Sequence, residues 1–149
     1  MKQFITHSAN ETTALGEQFA HDCRRGAVLA FFGGLGMGKT AFIKGLAKGL
    51  DISADVTSPT FSLVNEYKGE NHTLYHFDMY RIGTWEDLYS TGYFDYLDSG
   101  AILAIEWSEN IENALPENAL YIKIAQGKAP DDRIIRAGTV EEFDEDFGD

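Results

Sequence analysis

Cysteine, proline and long apolar runs are scarce in this chain. Its 149 residues include one cysteine and three prolines. The single cysteine, Cys23, excludes an internal disulfide framework and favours a reducing compartment. No stretch approaches the roughly 18 apolar residues of a membrane-spanning helix, and the amino terminus has no long hydrophobic region. From these absences we expect a soluble, cytoplasmic protein with no membrane partner.

Basic residues are also few. The chain has 12 Lys and Arg residues against 24 Asp and Glu residues, which gives a formal net charge of −12. Proteins that bind nucleic acid or anionic membranes directly normally present a basic face. The net charge therefore argues against direct, electrostatically driven binding of RNA. A local basic patch is still compatible with this net charge.

Chain length and charge distribution predict one folded domain followed by an acidic tail. A chain of 149 residues with 44% hydrophobic content can bury one core and leaves little room for a second domain. Six of the last nine residues are acidic and none is basic. We expect a P-loop ATPase domain over residues 1–140 and a solvated, frayed end over 141–149, with docking through Phe143 and Phe147 as the alternative.

Residues 33–40 form a glycine-rich motif that interrupts an otherwise regular pattern. The letters GGLGMGKT fit the consensus GxxxxGK[ST]. Glycine has no Cβ and adopts positive φ angles readily, so successive backbone N–H groups can point at one anion. We therefore expect a phosphate-binding loop, whose nucleotide-binding residues include Gly34, Leu35, Gly36, Met37 and Gly38.

Two side chains at the end of the motif complete the expected ATP site. Lys39 supplies positive charge for the β and γ phosphates at the start of a helix, where free N–H groups and the helix dipole also attract anions. Thr40 offers a hydroxyl oxygen to Mg2+. The flanks agree, because residues 27–32 are continuously apolar and residues 42–50 have apolar residues at helical spacing. A glycine-rich turn with an incidental lysine would not explain both flanks.

The first predicted helix begins near Ser8. Ser8 and Glu11 have capping-box spacing, and Leu15 and Phe19 then recur on one face. Because this helix precedes the strand that leads into the phosphate loop, its start is expected near the base and sugar of a bound nucleotide. Thr12 is therefore a candidate nucleotide contact, although ordinary capping explains polar residues there equally well.

A proline-containing loop follows the phosphate-loop helix. Pro59 restricts its own φ angle and favours extended geometry before it, and Ser58 and Thr60 flank it with hydroxyl groups. In nucleotide hydrolases a Ser/Thr loop at this place often senses the γ phosphate and its metal. A plain turn fits the spacing equally well. Thr60 is our candidate in this loop for orienting the attacking water.

Residues 61–67 and 74–77 bracket a turn and predict two antiparallel strands. Asp78 follows at the end of the second strand, where a carboxylate could hold a metal-bound water or orient an attacking one. A structural pair between Asp78 and Arg81 is the alternative. His76 has apolar neighbours, so we expect it to be packed rather than catalytic.

A fully apolar strand over residues 101–107 also ends in a carboxylate, Glu106. This is the pattern of a Walker B element, so Glu106 is our first candidate for the Mg2+ ligand and Asp78 the second. Trp107 is expected beside the nucleotide or on a partner surface, with a core position as the alternative. Thr84 is expected to cap a helix, and residues 93–97 to form another.

Together these patterns predict an α/β fold. Further strands are expected at residues 120–124 and 132–136. The resulting architecture is a single-domain P-loop NTPase with a mostly parallel central sheet, an antiparallel extension and flanking helices.

Four separated motifs also resemble one known family. They are GGLGMGKT at 33–40, VTSPTFSLVNEY at 56–67, LYHFDMYRI at 74–82 and AILAIEW at 101–107. In this order the chain resembles the TsaE (YjeE-type) ATPases, which take part in making threonylcarbamoyladenosine in tRNA. Four motifs in the correct order are far more specific than one phosphate loop.

The resemblance implies an ATPase subunit required for threonylcarbamoyl modification (t6A) of adenosine 37 in tRNAs that read codons beginning with A. It implies slow hydrolysis of ATP with Mg2+, and assembly with TsaD and TsaB homologues that hold the tRNA. In residue terms it assigns phosphate binding to Lys39, Mg2+ binding to Thr40 and Glu106, and a role in ATP hydrolysis to Asp78.

The same resemblance assigns further residues to the site. Ser58 and Thr60 belong to a switch-like loop, and Trp107 lies beside the nucleotide. Thr12 lies near the adenine, and Arg133, with Arg136 close by in the sequence, approaches ATP. One departure is Gly34, because the family usually has Asp after the first glycine of the loop. We expect the ATP site to survive this change, while loop rigidity or partner contact differs.

Two other functions stay open on the residues alone. A small-molecule kinase would use the same phosphate loop, but it usually has a lid rich in arginine, and the sequence shows no such segment. A nucleotide-gated interaction module would need ATP binding and no hydrolysis. Metabolite-dependent release of ADP would identify the first, and full function without hydrolysis the second.

Overall fold

A computed structural model describes residues 1–32, 38–57, 59 and 63–147, with side chains described as far as residue 143. In chain order, the strands are β1 (Lys2–Thr6), β2 (Val28–Phe32), β3 (Val64–Lys68), β4 (Thr73–Asp78), β5 (Ile102–Glu106), β6 (Leu120–Gln126) and β7 (Arg133–Gly138). The helices are α1 (Ala9–Asp22), α2 (Lys39–Gly49), α3 (Trp85–Ser90), α4 (Tyr93–Leu97) and α5 (Val140–Phe147), and a 3-10 helix spans Ser108–Ala114.

The strands of the described residues form one mixed sheet in the order β1-β7-β6-β2-β5-β4-β3. The central strands β6, β2, β5 and β4 run parallel, while β7, β1 and β3 are antiparallel to their neighbours. The predicted single α/β domain with a P-loop fold, a mostly parallel centre and an antiparallel extension is therefore confirmed. Antiparallel pairs lie at both edges of the sheet, because β1 pairs with β7 at one edge and β3 pairs with β4 at the other.

Alternating side chains of the central strands build two separate cores. Leu29, Phe31 and Ala104 pack with α1 and α2 on one face of the sheet. Val28, Ala30 and Ile105 pack on the other face, with residues of α3, α4, α5 and the 3-10 helix. Strands β2 and β5 are buried on both faces, which explains their continuous apolar sequences.

Local capping chemistry sets several helix starts as the sequence predicts. The Ser8 side chain accepts a hydrogen bond from Glu11 N at 3.1 Å, and Thr84 accepts one from Asp87 N at 3.1 Å. Helix α4 spans the expected residues 93–97. Cys23 is half-buried just after α1 and packs against the first core.

The end of the chain differs from the expected frayed tail. Residues 140–147 form helix α5, because Thr139 and Glu142 form a reciprocal capping box, in which Thr139 N donates to Glu142 Oε1 at 3.0 Å and Glu142 N donates to Thr139 Oγ1 at 3.3 Å. Phe143 is 7% exposed and packs against Tyr121 in the second core. This ring is therefore held within the fold and is not available to anchor a partner.

Candidate functional site

The amino end of α2 carries the first group of candidate residues. Gly38 is the N-cap of α2 and has a φ angle of 92°, a conformation that glycine adopts without the steric cost of a Cβ. Lys39 is the first helical residue and is only 3% exposed, and Thr40 follows it half-buried. Gly34, Leu35, Gly36 and Met37 lie outside the described residues. The helix therefore presents its amino end and a buried lysine directly after β2.

The carboxyl end of β5 brings a carboxylate to that lysine. Glu106 is 6% exposed, and its Oε1 atom lies 3.8 Å from Lys39 Nζ. Parallel strands β2 and β5 are neighbours in the sheet, so the segment after β2 and the last residue of β5 meet at one edge. The structure thus places together the predicted phosphate-binding lysine and the preferred predicted Mg2+ ligand.

A histidine that the sequence assigned to packing contacts the same carboxylate. His76 is fully buried, and its Nε2 atom lies 2.6 Å from Glu106 Oε2. The expectation that His76 is packed is correct as to burial but misses this contact. The available signal was its position two residues before Asp78, which places both side chains on the same face of β4.

Asp78 lies at the end of β4, in register with Glu106. It is half-buried, and its Oδ1 atom accepts a hydrogen bond from Tyr80 N at 2.9 Å. Arg81 is exposed, and within the described part of the chain no ion pair joins it to Asp78. The carboxylate therefore shapes the turn after β4 at the same edge of the sheet as Glu106.

Trp107 has a strained backbone next to the buried lysine. Its φ angle is +59°, which is uncommon for a bulky residue and is often found where a site requires it. Lys39 Nζ lies 5.2 Å from the centroid of the Trp107 ring, within the range of a cation–π interaction. Tyr80 packs on the same ring with centroids 4.9 Å apart. The indole therefore lies between the lysine and an exposed tyrosine.

Thr12 and Arg133 lie on another side of Gly38. A Cβ placed on Gly38 would lie 3.8 Å from Thr12 Cγ2 and 3.7 Å from Arg133 Cγ. The Thr12 hydroxyl contacts Thr6 Oγ1 at 2.7 Å and Ser8 O at 3.2 Å, so it is already engaged within the fold. Arg133 Nη1 donates to the carbonyl oxygens of Pro130 and Asp132. The predicted adenine and arginine contacts thus lie beside the start of α2.

An exposed histidine and a carboxylate close this edge of the site. His7 Nδ1 lies 3.0 Å from Asp132 Oδ1, which links the end of β1 to the residue before Arg133. The hydrogen bond that His7 donates to the Asp132 carboxylate raises the pKa of His7 above its ordinary value of 6.5. The same hydrogen bond lowers the pKa of Asp132 below its ordinary value of 3.8.

The proline loop is described only in part. Ser58 and Thr60, the candidate switch residues, lie outside the described residues. Before them, Thr57 O accepts a hydrogen bond from Asn65 Nδ2 at 3.1 Å, and Thr57 N donates to Tyr67 Oη at 3.1 Å. The start of this loop is therefore tied to β3.

The donor set near Lys39 suits Mg2+ bound together with phosphate. The buried carboxylate of Glu106 and the hydroxyl of Thr40 are hard oxygen donors, and Glu106 Oε1 points towards the lysine that would bind phosphate. Across the described ranges, no three His, Cys, Asp or Glu residues cluster as a self-sufficient metal site. This combination fits an ion that takes most of its ligands from phosphate oxygens and water.

One cavity lies well outside this arrangement. It has a volume of about 680 Å³ and is lined by residues around the start of β2, including Ala27 and Val28, and by Phe19, Cys23 and Leu120. Lys39 and Glu106 lie at the opposite ends of the parallel strands. The cavity is therefore separate from the candidate nucleotide site.

Comparisons with known proteins agree on one family. The family model described as threonylcarbamoyl adenosine biosynthesis protein TsaE matches residues 6–135. A tRNA threonylcarbamoyladenosine biosynthesis protein TsaE from Treponema pallidum is 38% identical over 120 residues, covering 80% of this chain and 88% of that protein. The Bacillus subtilis protein of the same name is 40% identical over 127 residues, covering 83% and 78%.

The fold of this chain also matches that of a solved structure. The crystal structure of Bacillus subtilis YdiB matches with a TM-score of 0.77 and 31% sequence identity, covering 97% of this chain and 89% of that one. In the part of the chain with described coordinates, no helix has both the length and the apolar character needed to cross a membrane.

Proposed function

Because the chain belongs to the TsaE family of threonylcarbamoyladenosine biosynthesis proteins, we propose that it is an ATPase whose site lies at the start of α2. ATP binds with Mg2+ at residues 34–40, and its hydrolysis supports threonylcarbamoyl modification of adenosine 37 in tRNAs that read codons beginning with A. One observation carries this proposal. Lys39 Nζ lies 3.8 Å from Glu106 Oε1 at the carboxyl edge of the parallel sheet.

Different residues of the chain bind the phosphates, hold the metal ion and orient the water in phosphoryl transfer to water. Lys39 and the backbone N–H groups of residues 34–40 hold the β and γ phosphates. Thr40 and Glu106 hold the Mg2+ ion, which when bound neutralises charge on the phosphate oxygens. Asp78 or Thr60 orients a water molecule in line with the γ phosphorus. The new oxygen–phosphorus bond replaces the bond to the β–γ bridging oxygen, and ADP and phosphate leave.

Three further residues border the nucleotide. Trp107 packs beside Lys39 and limits the access of water to its ammonium group. Arg133 and Thr12, which lie next to Gly38, border the sugar and base end of the nucleotide. In this arrangement Thr12 contributes its methyl group, since its hydroxyl already contacts Thr6 and Ser8.

We further propose that the ATPase works in an assembly with TsaB and TsaD homologues. The net charge of −12 supports an arrangement in which the partners, and not this chain, hold the tRNA. The single cysteine suits the reducing conditions of the cytoplasm, where we place this activity.

The test is ATP turnover by the purified chain, alone and with TsaB and TsaD homologues and tRNA. We expect slow turnover alone and a clear rise with the partners. The Lys39→Ala variant should bind ATP about 10-fold to 100-fold more weakly, because it loses charge-assisted phosphate contacts. Lys44→Ala is the matched control, since Lys44 is an exposed residue of the same helix.

Each outcome bears on a different part of the proposal. Unchanged ATP affinity in Lys39→Ala would show that the lysine is wrongly assigned. A chain that binds ATP and supports full modification without hydrolysing it would be a nucleotide-gated module. ADP release that depends on a metabolite would instead indicate a kinase.

A further inference from the structure

A buried histidine contacts Glu106, the candidate Mg2+ ligand. His76 is fully buried in β4, and its one hydrogen-bonding contact among the described residues is Nε2 to Glu106 Oε2 at 2.6 Å. Its other ring nitrogen, Nδ1, is buried and has no hydrogen-bond partner within the described part of the chain. Buried polar atoms are normally paired, so an unpaired one on a buried position of β4 requires an explanation.

The unpaired Nδ1 indicates which nitrogen carries the proton. If Nδ1 carried it, a buried donor would lack a partner, and the bare lone pair of Nε2 would face the oxygen lone pairs of Glu106. With the proton on Nε2, the ring donates to Glu106 Oε2, and only an acceptor is left unpaired. The short contact to a carboxylate is typical of a charge-assisted hydrogen bond. We therefore infer that His76 Nε2 donates to Glu106.

Strand register explains how this contact is made. His76 is in register with Ala104, and Asp78 is in register with Glu106, so His76 lies one diagonal step from Glu106 on the neighbouring strand. Both side chains are on the face of the sheet covered by α2, where Lys39 begins the helix. His76 is fixed by burial and therefore holds Glu106 from the sheet side.

The two carboxylate oxygens of Glu106 face different neighbours, His76 and Lys39. Oε2 is taken by His76, while Oε1 faces Lys39 at 3.8 Å, a distance too long for a direct hydrogen bond. Without His76, the carboxylate could rotate and give both oxygens to the lysine ammonium group. No oxygen of Glu106 would then face the metal position.

We propose that His76 is a positioning residue that holds Glu106 Oε2, so that Oε1 stays oriented for binding Mg2+. This inference rests on the proposed function, in which Glu106 serves Mg2+. Partners that orient a metal-binding carboxylate commonly change metal affinity by about 10-fold to 100-fold when they are removed. The effect of His76 should therefore appear in Mg2+ dependence and not in nucleotide affinity alone.

The test compares His76→Phe with His76→Gln. Phe keeps a ring of similar size and removes the donor, whereas the Gln side-chain nitrogen can occupy the place of Nε2. We measure binding of a fluorescent ATP analogue as Mg2+ is titrated, together with kcat and KM for ATP. His76→Phe should raise the half-saturating Mg2+ concentration about 10-fold, lower kcat, and leave analogue affinity without Mg2+ within about twofold. His76→Gln should recover most of the Mg2+ dependence.

Phe77→Leu is the matched control for lost packing. Phe77 is the next residue of β4 and is equally buried, but it packs in the second core, against Tyr93 and Tyr96. It should lower thermal stability without changing the half-saturating Mg2+ concentration. If Phe77→Leu shifts this concentration as much as His76→Phe does, the effect is general loosening and the inference is wrong.

A second measurement gives its decisive result on the unchanged chain. In nucleotide-free protein, the nitrogen chemical shifts of the His76 imidazole report which nitrogen carries a proton. We expect a protonated Nε2 coupled to Glu106, and loss of that signature in Glu106→Gln. An Nε2 without a proton would overturn the inference.

Failure of this inference and failure of the proposed function give different results. If the unchanged chain shows no Mg2+-dependent binding of the ATP analogue, the proposed function fails. If the unchanged chain does bind in this way and His76→Phe has the same Mg2+ dependence, only the role of His76 is rejected.

Discussion

Lys39 Nζ lies 3.8 Å from Glu106 Oε1, and both side chains are almost completely buried. The lysine also faces the Trp107 ring at 5.2 Å. Its charge is thus already balanced in the fold when no nucleotide is present. Phosphate would have to compete with Glu106 for the ammonium group, and a Mg2+ ion bound by Glu106 would remove that competition. In the proposed function, this geometry would couple metal binding to phosphate binding through one carboxylate.

The first prediction concerns the stability of the nucleotide-free protein. Lys39→Met should lower the free energy of unfolding by about 1–3 kcal/mol, because it leaves the buried Glu106 carboxylate without its cation. Lys44→Met, an exposed change in the same helix, should have little effect. Urea denaturation without nucleotide measures both. Equal or higher stability of Lys39→Met would mean that His76 alone satisfies the carboxylate.

The second prediction concerns the contact between α1 and α2. A Cβ on Gly45 would lie 1.8 Å from the backbone oxygen of Thr13, so the two helices approach too closely for a side chain. Gly45→Ala should destabilise the fold, since overpacking costs about 1–3 kcal/mol and exceeds the gain of at most about 1 kcal/mol in helix propensity. Thermal unfolding measures the difference.

Gly83→Ala provides the control for that prediction. Apart from its two chain neighbours, no described residue has an atom within 4 Å of a Cβ placed on Gly83, and the φ angle of Gly83 is not in the left-handed region. Its stability should stay within about 0.5 kcal/mol of that of the unchanged chain. If Gly45→Ala is equally neutral, α1 and α2 can move apart without loss, and the close packing is not needed.

Local sequence patterns were sufficient for much of the fold and for the start of the site. The apolar run of β2, the glycine at position 38 and the apolar spacing of α2 are all short-range signals, and the caps at Ser8 and Thr84 depend on residues three positions apart. The adjacency of Lys39 and Glu106 followed from a general rule, because segments after neighbouring parallel strands meet at one edge of the sheet.

Features that depend on residues far apart in the chain could not be predicted from local sequence patterns. Strand β1 is mostly exposed and is defined by its pairing with β7, far along the chain. The contact between His76 and Glu106 depends on the register of β4 with β5, which the sequence of neither strand specifies. Helix α5 does have a local signal, the capping box of Thr139 and Glu142, but the burial of Phe143 against Tyr121 depends on a distant strand, and the acidic composition of the segment concealed both.

The third prediction concerns the only thiol. Burial raises the pKa of Cys23 to about 11, and the nearby Asp22 carboxylate adds to the shift. Because the thiolate is the reactive form, Cys23 in the folded protein should react much more slowly with a disulfide reagent at pH 8 than an ordinary cysteine does. The urea-unfolded chain is the control and should react rapidly. Equal rates in the two states would show that the thiol is open to solvent with an ordinary pKa.

The fourth prediction concerns the pair of His7 and Asp132 at the edge of the candidate nucleotide site. Asp132 raises the pKa of His7, and His7 lowers the pKa of Asp132. The contribution of His7 to stability is therefore fully present below pH 6.5 and is lost as pH rises through its higher folded pKa. The contribution of Asp132 is present above pH 3.8 and is lost as pH falls through its lower folded pKa.

The pair of His7 and Asp132 should therefore stabilise the folded protein most between pH 3.8 and pH 6.5. NMR titration of His7 should give a pKa above 6.5, and Asp132→Asn should bring it back towards that value, because both the hydrogen bond and the charge are altered. Glu11→Gln is a suitable control, since the Glu11 charge also raises the His7 pKa but is the smallest of the contributions. If Glu11→Gln lowers the His7 pKa more than Asp132→Asn does, the link between β1 and Asp132 is not maintained in solution, and Arg133 is not held beside Gly38 through it.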